Sequence, residues 1–458
     1  MELPSLKSSR LYGWSGGWIG LVYLMGLTCL VDASPVFAEP APAPIVITPG
    51  EGRAFRAAVQ TFHDRIEPVD PERAKALRSE IEEGMRFSSI LLPLAPEAFT
   101  GEEVSSKPSA SRRGDCADWA VGGADALVEG SLQNAGQELE LRYQVWDIAR
   151  CKRLARGHLR GPHGERRRLA RQLADEVVGA FTGTPGVAAT EIAFISNRSG
   201  AREVYVMDAD GARQRAATRG ASIKAFPDWT PDGLAILYTS YANGVKPSLY
   251  LTSRGEYAPG MILSDVLDDL PKYRGVFDPR GEELALVASL DGASEIYRVS
   301  RKGRRLRRLT HSPAIEISPA WSPDGKRIAF VSDRSGSPQI YLMNRRGGDV
   351  RRLTFNGSYN TSPTWSPDGR WIAYETRVEG QFDIWLIDPS GETNFPVIVH
   401  PRSDESPAWS PDSRKLIFSS RRRGRSDLYV IDVNGDNLRR LTRGQGENIQ
   451  PAWGPHAP

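Results

Sequence analysis

The chain has 458 residues, with 59 lysines and arginines against 56 aspartates and glutamates and a formal net charge of +3. That length exceeds one conventional core, so at least two folded units are expected. The near-balance argues against an obligate nucleic-acid binder. The basic residues fall in short clusters such as RKGRRLRRLT (301–310) and RRRGR (421–425), at expected turns and edge strands, where they read as a solvated face.

In chain order, the first element is an address. Lys7 and Arg10 precede the apolar run WIGLVYLMGLTCLV (18–31), and VFA (36–38) ends in small residues before Glu39. This is the layout of a signal peptide over 1–38, cleaved between Ala38 and Glu39. The run, about 14 residues, falls short of the roughly 20 that span a bilayer, so no membrane insertion is expected after cleavage. Thr28 before Cys29 fits a lipoprotein site poorly.

Residues 39–187 do not repeat and read as a small α+β domain. PAPAPIVITPG (40–50) is a proline-rich entry into a short strand holding Ile45, Val46 and Ile47, and Phe55–Phe62 is a second strand. Asp70-Pro71-Glu72 opens a helix with an N-cap and an N1 proline; Ala74, Leu77 and Ile81 line one face, and Gly84 is expected to stop it. ALVEGSLQNAGQELELRYQVWDI (126–148) reads as a hairpin, and a helix is expected over Arg166–Phe181 before the linker TGTPGVAAT (182–190). Cys116 and Cys151, the two cysteines left after the signal, pair or stay buried as thiols; pairing, which export favours, would close a loop of about 35 residues.

Residues 188–458 repeat. WSPDGKRIAFVSDRSG at 321 returns as WSPDGRWIAYETRVEG at 365, and the same mark stands at Trp229, Phe277, Trp321, Trp365, Trp409 and Trp453, the last four each 44 residues apart. Pro-Asp-Gly is a turn, and alternating strands such as IAFVSDRSGSPQIYLMN (328–344) follow each mark. Four strands in about 44 residues make one propeller blade. The first unit lacks a WSPDG strand and the last WGP strand has nothing after it, so the C-terminal strand is expected to complete blade one. The fold class is therefore mainly β: a six-bladed β-propeller preceded by a small α+β domain, with each tryptophan packed between blades.

Five residues before each mark stand Lys224, Lys272, Glu316, Asn360, Asp404 and Asn448, all polar. They are expected to ring one channel mouth, extended by Arg274, Ser318, Thr361, Ser362, Glu405 and Gln450, and to bind a polar protein epitope. The alternative is a loop that is polar merely because it is exposed. Glu316 and Asp404 lack the spaced oxygen ligands of a calcium loop. The literal G-x-S-x-G, GWSGG (13–17), lies in the signal peptide, without the strand and helix that motif needs. No histidine pair has metal spacing. No catalytic, metal or cofactor site is assigned.

The WSPDG blades, together with DPERAKALRSEIEEGMRFSSI, DWAVGGADALVEGSL and LRYQVWDIARCKRLARG in that order, resemble the TolB family, the periplasmic propellers of the Gram-negative Tol–Pal envelope system. The resemblance covers essentially the whole mature chain. FRAAVQTF in place of a proline-bearing strand, Phe277 in place of a tryptophan, and the two cysteines depart from the family pattern. The resemblance implies a monomeric, non-enzymatic periplasmic adaptor that serves envelope integrity and constriction at division. It implies binding of the peptidoglycan-associated lipoprotein Pal at the channel mouth, above all through Pro271–Arg274 and Glu316–Ser318. It also implies that Glu39–Thr48 is a strand released when the inner-membrane protein TolA engages it. The second hypothesis is a cyclotransferase- or lactonase-like propeller enzyme, or a small-ligand binder, using the channel rim; such enzymes need clustered ligands, where this rim offers single residues of mixed sign.

Overall fold

A computed structural model describes residues 54–95 and 113–456, apart from 243, 245, 254–260, 263–269, 290–291, 304 and 445. The signal peptide and the strand of Ile45, Val46 and Ile47 lie outside the described residues. Among these residues no helix is long and apolar enough to cross a membrane.

The front domain runs β1 (Phe55–Val59), β2 (His63–Asp64), α1 (Pro71–Ser88), β3 (Leu91–Pro93), α2 (Arg113–Val121), β4 (Ala126–Ala135), β5 (Glu138–Asp147), β6 (Lys152–Pro162) and α3 (Arg166–Thr182). Its sheet has the order β3-β1-β4-β5-β6, with β2 beside β4. The Asp70 carboxylate caps α1, accepting from the Glu72 amide at 3.0 Å. Gly84 does not stop this helix. It lets α1 close on α3, where a Cβ would lie 2.6 Å from that of Ala174, and the helix ends instead at Ser89, in the left-handed region at φ 62°. On β5, Leu139, Leu141, Tyr143 and Val145 pack against Leu77, Ile81, Leu169 and Leu173 of the two helices, so Glu140, Arg142, Gln144 and Trp146 face away. The α2 residues Cys116 and Trp119 cover one end of that outer face, against Leu127 and Ile148, and Cys116 is disulfide-bonded to Cys151. Sequence reasoning anticipated neither α2 nor β6 as separate elements.

The remainder is six four-stranded antiparallel sheets, whose strands are lettered A (innermost) to D. Strand A of blade 1 is Asn448–Trp453, paired with strand B at Glu191–Ser199, so the C-terminal strand seals the ring. The repeat residues explain themselves locally. Ser322 donates to Asp324 at 2.6 Å and its carbonyl accepts from Gly325, which turns at φ 66°. The threonine ending each RRLT reaches back to the preceding strand C of its own blade: Thr354 donates to Gln339 at 2.8 Å and accepts from the Ile340 amide at 2.9 Å. The marks pack between blades. Trp229 joins Ile195 and Val206 of blade 1, and Phe277 joins Leu237 and Leu249 of blade 2.

The front domain meets the propeller through Phe87 against Trp453 (ring centroids 6.5 Å apart) and through Arg167, which bridges Glu80 and Asp210 at 2.6 Å each. Asp175 of α3 accepts from the Ala188 and Ala189 amides at 2.7 and 2.8 Å, fixing the connection into blade 1; burial pushes its carboxyl up to about 7.

Candidate functional site: the propeller channel and its mouth

The inner strands Lys224–Trp229, Lys272–Phe277, Glu316–Trp321, Asn360–Trp365, Asp404–Trp409 and Asn448–Trp453 share one irregularity. Each pairs at its first two residues, then sets two residues against one before pairing again, a β-bulge. The bulged residue is Phe226, Arg274, Ser318, Ser362, Ser406 or Gln450, with φ between 50° and 57° in all six. Left-handed backbone at a non-glycine residue costs on the order of 1–3 kcal/mol and persists only where its surroundings hold it. Repeated around the ring, it bends each strand at the same level.

These bulges surround a central channel of about 560 Å³, lined by Phe226, Arg274, Ser362, Ser406 and Gln450 and by the residues that follow them. Among the predicted site residues, Arg274, Thr361, Ser362, Glu405 and Gln450 line this channel together. The Arg274 guanidinium lies over the Phe226 ring at 5.0 Å, and desolvation lowers its pKa against the pull of Glu375. Burial raises the Glu375 carboxyl; it accepts from the Ser362 hydroxyl and from the Ser406 amide at 3.2 Å. Burial also pushes Asp228, on the same wall, up to about 7. The channel therefore presents one arginine and three carboxyl groups, suited to orienting a polar group that enters it.

The six strand-start residues are placed differently from expectation. Lys224, Lys272, Glu316, Asn360, Asp404 and Asn448 are each at most 5 % exposed, so they do not form an open rim. Pleat alternation turns them between blades, where their polarity serves neighbouring strands. Lys224 pairs with Glu203 of blade 1 at 3.1 Å. Asn360 donates to Gln339 of blade 4 at 2.8 Å, and Asn448 donates to Asp427 of blade 6 at 3.4 Å. Asp404 is held by Arg422 at 2.9 Å, and Glu316 by Arg334 at 3.0 Å and Ser332 at 2.8 Å. Burial raises both carboxyls against those cations. Ser318 is also buried, its hydroxyl without a hydrogen-bond partner.

The exposed mouth begins one residue earlier. Ile223, Ile315 and Tyr359 immediately precede their strands and are 50 %, 51 % and 39 % exposed, with Phe355 exposed on the connection of Tyr359 and Val399 on the corresponding connection into Asp404–Trp409. Sequence reasoning missed these residues. The available signal was a large apolar side chain directly before a polar strand start, in a loop that needs no apolar residue for its own fold.

A six-bladed ring with a polar channel, an apolar-edged mouth and a small α+β domain in front defines a class of propeller protein built around the channel. The description "TolB beta propeller domain" matches residues 178–457, and "TolB amino-terminal domain" matches residues 43–154. The chain belongs to the TolB family. It is 36% identical over 292 residues to the Tol-Pal system protein TolB of Anaeromyxobacter dehalogenans (strain 2CP-C), covering 64% of this chain and 62% of that relative, so the match spans less than two thirds of the relative's length. It is 35% identical over 307 residues to the protein TolB homolog of Chlorobium chlorochromatii, covering 65% and 67%. The crystal structure of TolB from Acinetobacter baumannii superposes with a TM-score of 0.72 at 25% identity, over 88% of this chain and 97% of that one.

Proposed function

We propose that this chain is a non-enzymatic periplasmic adaptor of a Tol–Pal envelope system. In this reading residues 1–38 are a cleaved signal peptide, 39–187 the front domain and 188–458 the propeller. The peptidoglycan-associated lipoprotein docks across the mouth, and Ile45, Val46 and Ile47 belong to a mature N-terminal strand that TolA engages. The adaptor, a monomer, would thereby link the outer envelope to the inner-membrane complex and support integrity and constriction at division.

One observation carries the placement of the site: exposed Ile223, Ile315 and Tyr359 stand around a channel whose wall holds Arg274, Thr361 and Glu405. An apolar edge about a polar centre suits a folded protein partner, because the apolar contacts supply affinity and the charged groups orientation. The test is calorimetry of residues 39–458 against the periplasmic domain of the organism's own lipoprotein. Saturable binding is expected, weakened by more than about tenfold in Ile315→Asp/Tyr359→Asp. Absence of binding at tens of micromolar would overturn the adaptor reading; unchanged binding by the variant would move the site off the mouth.

A further inference from the structure

The outer face of the front sheet carries charge that the propeller site does not use. On β5 it holds Glu140, Arg142, Gln144 and Trp146, and on the edge strand β6 it holds Arg153, Arg156, His158 and Arg160 directly opposite. Arg153, Arg156 and His158 are exposed, and the side chains of Arg142 and Arg160 are 57% and 53% exposed. Three carboxylates lie on the same face, exposed Glu138 at the start of β5 and the pair Glu129 and Glu140. Glu129 accepts from the Trp146 indole at 2.9 Å. The Glu140 side chain is 2% exposed and serves as a floor: it accepts from Arg160 at 2.8 and 2.9 Å, from Arg142 at 2.8 Å and from Gln133 at 2.6 Å. Arg153 is braced by Gln144 at 2.9 Å and leans over the Trp146 ring at 5.8 Å.

Protection of an open edge explains charges on β6, since edge strands are commonly blunted with cations. It does not explain Arg142 on the interior strand β5, nor a carboxylate buried beneath two arginines. That arrangement ties both guanidinium groups to Glu140 while their side chains stay half-exposed, a use for which arginine, with its several N–H donors, is suited and lysine is not. Neighbouring side chains of the array stand roughly 5–7 Å apart along and across the strands. It lacks the apolar centre that a folded protein partner requires. Phosphate-bearing headgroups require none, because a lattice of anions is matched by a lattice of cations.

We propose that this sheet face, with Arg142, Arg153, Arg156 and Arg160 as its cations, docks the front domain on an anionic lipid bilayer surface. The reading is independent of the lipoprotein site, which lies on the propeller.

The test is cosedimentation of residues 39–458 with phosphatidylcholine vesicles, with and without phosphatidylglycerol, across a salt series. Binding that requires phosphatidylglycerol and weakens with salt is expected, and Arg153→Glu/Arg156→Glu should lower it by more than about tenfold. Both positions are exposed and leave the Glu140 clamp intact; the single Arg156→Glu, with a smaller loss, guards against misfolding of the double variant. Equal binding to both vesicle types overturns the proposal. So does binding that survives the double substitution, which would assign the affinity to other cations. Binding to polyglutamate with none to either vesicle also overturns it, in favour of an acidic protein partner. Retention of lipoprotein binding by the double variant is expected and separates this outcome from failure of the adaptor reading.

Discussion

Two carboxylates, Asp404 in the propeller and Glu140 in the front sheet, are buried under arginine and yet respond oppositely. Asp404 faces one arginine, Arg422, itself 12% exposed, with Ser420 and His400 also favouring its charged form, and burial still prevails, raising its pKa. Glu140 faces two half-exposed arginines and Gln133, and the hydrogen bonds led by Arg160 hold its carboxyl down at about 2 despite burial. The contrast follows from neighbours. Each blade has a sheet on both faces, so a charged strand start is enclosed and consumed between blades. The front sheet has helices on one face, and only part of the other is covered, so its charges stay on display. Polarity in sequence therefore does not report exposure; the number of packed faces does.

Substitutions can break this comparison. The largest effect is expected for Arg422→Ala, which strands the Asp404 carboxylate without its ion pair and should cost about 3–5 kcal/mol in urea unfolding. Arg160→Ala should cost less, because Arg142 and Gln133 still hold Glu140. Equal losses would show that the two carboxylates are held alike. Next comes the disulfide. All three cysteines precede the propeller, so Cys116→Ser/Cys151→Ser removes a brace from the front domain alone, across a separation of 35 residues. A loss of about 2–4 kcal/mol in a front-domain probe such as Trp119 or Trp146 fluorescence is expected, with the propeller transition unmoved. The smallest effect concerns acid. A lowered carboxyl contributes stability that is complete above its unfolded value and is lost as pH falls through the folded one. For Glu140 that window runs from 4.5 down to about 2. Glu140→Gln should flatten the front domain's pH dependence there. Asp404 has the opposite sign, its raised carboxyl favouring the folded state more as pH falls, so Asp404→Asn should not flatten the same window.

The propeller was legible because its information is local and repeated. Trp321 and Trp365 mark the blades, Pro-Asp-Gly gives the turns, and RRLT names a threonine whose bonds reach only the adjacent strand. The strand-start residues were visible as a set but misplaced, since the partners that explain Asn360 and Asn448 sit on the preceding blade and leave no mark near them in the chain. The bulge left a faint signal, a residue followed by proline two positions into the strand, at Phe226, Ser318, Ser362, Ser406 and Gln450. Gly84 misled because a glycine near a helix end reads as a stop, whereas its role is set by Ala174, far away in α3. The Glu140 clamp was hidden for the same reason: its strongest partner, Arg160, lies on a strand that the residues alone did not reveal.

Closure of the ring by Asn448–Trp453 has a kinetic consequence. The bond from the Trp453 indole to the Thr190 hydroxyl joins groups 263 residues apart. Closing so long a loop costs only about 1–2 kcal/mol more chain entropy than closing one blade, so the finished ring is not penalised for it. The delay is another matter, because long-range pairing forms late. Until those six residues arrive, strand B of blade 1 offers an unpaired edge to any other strand nearby. The last strand thus acts as a clasp, and a chain that stalls before it remains a substrate for misassembly and proteolysis.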